Sequence, residues 1–192
     1  MEQNETNELI RPGESPKWVG SLYEMAEVLV SAMLCVAVLF IFLLRFAGVL
    51  GHSMDPTLED RQKLALTASL PRPAHGDIVI ISPRTNADHE PLVKRVIAVE
   101  GDELDLADGR VLVNGTAIDE PYLPEGVRTE PAPGIFSDLV YPVRVPAGTV
   151  FVMGDNRGGS MDSRFSDVGL IRADDIIGKV LFSVKPFLKS IS

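Results

Sequence analysis

From Val28 to Leu44 the chain reads VLVSAMLCVAVLFIFLL, seventeen residues without a charge. At 1.5 Å per helical residue this run covers about 25 Å, slightly less than a hydrocarbon core of about 30 Å. Adding Ala26-Glu27 before it and Arg45-Phe46-Ala47 after it completes the length, so a transmembrane helix is expected over residues 26–48. Glu27 and Arg45 then fall near the two interfaces, where Arg45 can snorkel, and Trp18 and Tyr23 fall where an aromatic belt belongs. Residues 1–25 read as a polar tail carrying Glu2, Glu5, Glu8, Glu14 and Glu24. A cleavable leader has a short basic start and an apolar run of about 7–15 residues, which does not describe this segment. Lysine and arginine flank both ends (Arg11 and Lys17 before; Arg45, Arg61 and Lys63 after), so charge does not set the orientation.

After residue 60 the pattern changes to short apolar runs cut by Gly, Pro, Asn and Asp, the signature of a mainly β, antiparallel domain over residues 49–192. Strands are expected at Lys63–Ala68, Asp77–Ile81, Leu92–Val99, Glu103–Leu106, Arg110–Val113, Tyr141–Val145, Thr149–Met153 and Ile176–Val184. Asp108-Gly109 marks a hairpin, Asn114-Gly115 a second tight turn, and Pro146-Ala147-Gly148 a third hairpin between Tyr141–Val145 and Thr149–Met153. Asn114-Gly115-Thr116 also fits a glycosylation sequon, but the turn explains the same residues. Residues 117–142 are Pro-rich and irregular, a loop or cap.

A net charge of −9 argues against a nucleic-acid partner, which needs clustered cations. The single Cys35 leaves no intramolecular disulfide, and His52, His75 and His89 have no metal-ligand spacing, so no metal or cofactor is expected.

Three segments do not read as scaffold. Gly51-His52-Ser53-Met54-Asp55-Pro56-Thr57-Leu58 follows the apolar run directly, and Ser53 is either an exposed nucleophile or a cap. Lys94 shares a strand face with Leu92, Val96 and Ala98. On such a face it is either desolvated, which disfavours its charged form and makes it a usable base, or it snorkels from an edge strand. Gly154–Arg164 (GDNRGGSMDSR) packs two carboxylates, two arginines and two serines into one loop after a buried strand, a mixture suited to a hydrogen-bonded network.

Taken together these segments resemble the bacterial type I signal peptidase family. Ser53–Leu58 (SMDPTL), Lys94–Asp102 (KRVIAVEGD), Gly154–Arg164, and Asp77-Ile78-Val79 after Gly76 stand in the family's order, and the resemblance runs from about residue 25 to 184. It implies a β-rich Ser-Lys protease with Ser53 as nucleophile and Lys94 as general base. Ser160 would orient the lysine, Asp162 and Arg164 would form a supporting ion pair, and Met54 would wall the substrate region. Asp155, Asn156, Arg157 and Arg95 would give structural support. Some members carry a Ser or Thr where this chain has Gly51, which leaves the second oxyanion donor to a backbone N–H or water. The resemblance implies signal-peptide-bearing preproteins cut at A-x-A sites, a lipid bilayer as partner, and a single-pass cell-membrane protein with its catalytic domain outside the cytoplasm. Two rivals are the self-cleaving repressor proteases, which would need a DNA-binding module, and a membrane-tethered binding module without activity.

Overall fold

The computed structural model describes residues 17–67, 72–82 and 90–184. The chain divides into two compact units, Met1–Ile41 and Phe42–Ser192.

The described part of the first unit belongs to one helix, α1 (Lys17–Leu43), and residues 1–16 of the expected polar tail lie outside the described residues. Trp18–Val38 is long and apolar enough to cross a membrane, and its side chains are exposed, Leu29 and Met33 among them. A helix apolar on all sides has no water-facing surface, which suits lipid. The helix differs from the sequence expectation at both ends. It starts at Lys17, so the expected tail is helical from there, and it stops before Leu44. Leu44–Gly48 is instead strand β1, paired antiparallel with β2 (Lys63–Thr67) from Leu44↔Thr67 to Gly48↔Lys63. The sheet ladder there satisfies the backbone groups that a helix would have satisfied internally.

The remaining strands are β3 (Ile78–Ile81), β4 (Leu92–Val99), β5 (Glu103–Ala107), β6 (Arg110–Val113), β7 (Thr116–Ala117), β8 (Val143–Arg144), β9 (Thr149–Met153), β10 (Ile171–Arg172) and β11 (Ile176–Val184). They form two antiparallel sheets, one in the order β1-β2-β11-β3-β4-β9-β10 and the other β7-β6-β5-β8. The fold is therefore mainly antiparallel β with one N-terminal apolar helix, as expected. Both Asp-Gly and Asn-Gly turns take the left-handed conformation at both residues, which fits the twist of the β5–β6 and β6–β7 hairpins.

Two strand expectations need correction. Pro146-Ala147-Gly148 does not close a hairpin: β8 pairs with β5 in the smaller sheet, whereas β9 pairs with β4 in the larger one. The chain changes sheets at that turn. A bulge between Val96 and Ala98 also breaks the alternation of β4. Beyond it Val99, not Ala98, packs with Leu92 and Val96, while Ile97 and Ala98 join a second cluster.

Strand β9 is buried on both faces. Val150 and Val152 enter a cluster with Val79, Ile81 and Val96, while Phe151 and Met153 pack with Leu104, Val111 and Val113 of the smaller sheet. A third cluster (Val49, Met54, Leu58, Leu64, Leu66, Ile80) seats the segment after β1 on the larger sheet. Phe151 is fully buried where the two sheets meet. Phe151→Ala should cost about 3–5 kcal/mol, and Phe151→Leu less than about 2 kcal/mol, in urea unfolding of the detergent-solubilised chain followed by circular dichroism.

Candidate active site

Lys94 sits in the middle of β4, opposite Val79 of β3, and is 1% exposed. The strand pattern thus resolves toward desolvation and away from an edge lysine, because β4 lies between β3 and β9. Burial pushes the Lys94 amine down to about 8. The Asp162 carboxylate opposes that shift, the Arg164 guanidinium adds to it, and Asp155 opposes it. Burial prevails because the nearby charges largely cancel one another.

Those neighbours are the GDNRGGSMDSR loop. Asp162 takes Arg164 in a two-point ion pair at 2.9 Å and also accepts the Gly154 N–H at 3.0 Å. Asp155 holds Arg95 through bonds of 2.8 and 2.6 Å, and the Arg95 guanidinium lies 3.8 Å from the Tyr122 ring centre. Arg157 bonds Glu120 and Thr129, both from the Pro-rich segment, and the Gly154 carbonyl. Arg164 also donates to the carbonyls of Glu130 and Arg157. Ser163 accepts the Val152 N–H and returns its own N–H to the Val152 carbonyl, fastening the loop to β9. Each buried arginine thus meets a carboxylate and a backbone oxygen, the condition under which buried charge is tolerated, whereas among the described residues the Lys94 amine has only the Ser160 hydroxyl.

Ser160 faces inward, and Lys94 Nζ donates to Ser160 Oγ at 3.1 Å. Ser53, half-buried, reaches the same place from the other side. Its carbonyl accepts the Asn156 N–H at 3.0 Å, and the His52 carbonyl accepts Asn156 Nδ2 at 3.0 Å. The closest approach is across Gly154. A Cβ there would stand 2.2 Å from Ser160 Oγ and 2.3 Å from the Ser53 carbonyl oxygen, so only glycine lets the two segments meet. Among the described residues neither Ser53 Oγ nor the Ser53 N–H has a protein hydrogen-bond partner.

The turn before Ser53 is fixed as well. Gly51 adopts φ +87°, and its N–H donates to Asp60 at 2.8 Å. Met54 is fully buried beneath Ser53, in the cluster with Leu58 and Leu66. Ser53 opens onto a cavity of about 280 Å³, lined by Leu50, Leu66, Ile80, Leu92, Val93 and Ile177 among others.

Of the residues singled out in the sequence, the structure joins Lys94 to Ser160, pairs Asp162 with Arg164, and sets the Ser53 backbone against Ser160 across Gly154, with Gly51 and Met54 flanking Ser53. Sequence reasoning missed Glu120, Thr129 and Asp60, whose partners are distant or lie across a turn. His52 pairs with Asp55 and His75 with Asp102, and among the described residues no cluster suits a metal ion. His89 lies outside the described residues.

The shifted lysine has a sign that can be checked. The unfolded chain keeps its lysine proton up to the ordinary 10.5, whereas the folded chain releases it near 8. Raising the pH through that window therefore favours the folded state, by about 3 kcal/mol in all. Lys94→Met should abolish this rise and be the more stable protein at pH 7, as measured by denaturant midpoints from pH 7 to 10.5.

Several known proteins are similar to this chain. The pattern of the family described as signal peptidase, peptidase S26, matches residues 22–185. A signal peptidase I from Bacillus licheniformis is 37% identical over 171 residues, covering 87% of this chain and 90% of that protein. The signal peptidase I T of Bacillus subtilis (strain 168) is 36% identical over 175 residues, covering 89% of each. The crystal structure of a signal peptidase I from Enterococcus faecalis V583 aligns with 59% of this chain and 100% of that one, at 26% identity and a TM-score of 0.48.

Proposed function

The chain belongs to the signal peptidase, peptidase S26, family and is a serine endopeptidase that processes signal peptides, and from that premise we propose that it cuts preproteins at A-x-A sites through a Ser53–Lys94 dyad. The observation that carries this reading is the meeting of three groups around Gly154: the buried Lys94 amine, the Ser160 hydroxyl and the Ser53 backbone.

In this reading neutral Lys94 takes the Ser53 hydroxyl proton as Oγ attacks the scissile carbonyl. The Ser53 N–H, which has no partner among the described residues, donates to the oxyanion. The second donor is not the Gly51 N–H, which is engaged by Asp60. Collapse of the tetrahedral intermediate expels the amine, which takes the proton from the Lys94 ammonium. Lys94 then removes a proton from water, the hydroxide attacks the Ser53 ester, and the lysine returns the proton to Ser53 Oγ. Ser160 holds the amine in place throughout, and Asp162 fixes the Ser160 loop through Gly154 and Arg164.

Substrate selection follows from the groove. Strand β1 is an edge of its sheet, so an extended preprotein segment can add alongside it, with alternate side chains entering the cavity. A cavity of about 280 Å³ is at the small end for ligand sites, roughly 300–1,000 Å³, and suits alanine-sized residues at the first and third positions before the cut. Helix α1 would hold the enzyme in the cell membrane as a single span, with the catalytic unit outside the cytoplasm, where the signal peptide's apolar segment already lies. Sharing the bilayer raises the effective concentration of enzyme and substrate.

Cleavage of an A-x-A preprotein in detergent micelles tests the dyad. Ser53→Ala and Lys94→Ala should each lower kcat by about a thousandfold or more, since the two act as a unit. A Lys94→Ala enzyme that keeps full activity would overturn the assignment. For wild type, kcat/KM should rise with pH around a midpoint of about 8, as the lysine loses its proton. Asp162→Asn removes a charge that holds that proton on, so its residual activity should show a midpoint at lower pH.

A further inference from the structure

The groove that receives Ser53 contains one charged side chain among the described residues, Arg45. Arg45 lies on β1 directly across from Leu66, and two residues along Ala47 lies across from Leu64. Leu64 and Leu66 belong to the apolar cluster beneath the groove, and Ala47 packs against it, so this face of β1 is turned toward the cavity. Arg45 is exposed, and among the described residues it has no carboxylate partner. It therefore presents a free guanidinium at the end of an otherwise apolar trough that runs past Gly48 and Leu50 to Ser53.

Resting on the reading that an extended preprotein segment occupies this groove, we propose that Arg45 is a specificity-determining residue that selects an acidic side chain in the substrate upstream of the alanine-sized positions. Side chains of an extended chain alternate, so the first, third and fifth residues before the cut share the groove face. The first and third enter the small cavity beside Ser53, and the fifth is the next able to reach the β1 end. An aspartate or glutamate there gains an ion pair; a lysine meets a like charge. The pair is solvent-accessible, so its effect on kcat/KM is modest, about three- to fivefold, and it weakens as salt rises.

The test uses the full chain in nonionic detergent and peptide substrates with one cleavage site and Glu, Gln or Lys placed in turn at the fourth, fifth and sixth positions before the cut. Wild type should cleave the fifth-position Glu peptide about three- to fivefold faster than its Gln counterpart, with Lys slower still, and the preference should shrink in 0.5 M salt. In Arg45→Gln the Glu-to-Gln ratio should fall to about one, and in Arg45→Glu the order should invert in favour of Lys. A wild type that cuts all peptides at equal rates, or a preference that survives in Arg45→Gln, overturns the proposal. A wild-type ratio of one accompanied by weaker binding of Arg45→Gln than of wild type to phosphatidylglycerol vesicles overturns it too, and would assign the guanidinium to lipid headgroups. A wild type that cuts none of the peptides refutes the peptidase reading itself, a different result from equal cutting.

Discussion

Withdrawing the Lys94 amine from water is the constraint that organises the rest of the catalytic unit. An ammonium in a sheet interior is destabilised by several kcal/mol unless it loses its proton or finds compensating charge. Here the compensation is incomplete. Asp162 is the carboxylate that most favours the ammonium, yet it is committed to Arg164, and Asp155 is committed to Arg95. The two ion pairs keep the loop folded while leaving the lysine little net negative charge to lean on. That is how a residue ordinarily protonated at neutral pH comes to have an amine near 8. A single unpaired carboxylate in the same place would raise the amine again and leave less of it neutral.

The same loop sets where the lysine points. Gly154 ends β9 and lacks a side chain where Ser160 and the Ser53 carbonyl converge. Asn156 then clamps the backbone of His52 and Ser53 with its own N–H and its side-chain amide. The segment bearing Ser53 is thus fastened to the loop bearing Ser160, and that loop to the strands bearing Lys94 and Val152. Ser53, Lys94 and Ser160 come from three stretches far apart in the chain, and hydrogen bonds from both backbone and side chains hold those stretches together.

What was legible in the sequence follows from this division. The strands could be read because alternation and apolar runs are local signals, whereas the burial of Lys94 stayed open until β3 and β9 were seen to flank β4. Leu92–Val99, Arg110–Val113, Thr149–Met153 and Ile176–Val184 appear with the expected bounds. The candidate site residues came from motif resemblance, not from periodicity. What could not be read was set by pairing between distant segments. Leu44–Gly48 is as apolar as the helix before it, and only β2 makes it a strand. The turn at Pro146 looks like a hairpin until β5 and β4 claim its two arms. The bulge at Ile97 reverses which of Ala98 and Val99 faces Val96, and nothing in an apolar run reveals it. Glu120 and Thr129 sit in a segment with no regular pattern, and their partner Arg157 is distant in sequence.

The early end of the helix has a consequence for substrate binding. Had α1 continued to residue 48, β2 would stand at the edge of the larger sheet, and Arg45, Phe46, Ala47 and Gly48 would not line the Ser53 cavity as a strand. Because the chain becomes extended at Leu44, it leads from the apolar span directly into the wall of the groove. In the proposed mechanism a preprotein has the same order: an apolar helix, then an extended stretch, then the cut. Enzyme and substrate would therefore change from helix to strand at similar distances from their reacting groups. That correspondence lets an edge strand align the substrate by main-chain hydrogen bonds, which do not depend on side-chain identity. In the proposed mechanism the small cavity and the charge of Arg45 then remain to tell one preprotein from another.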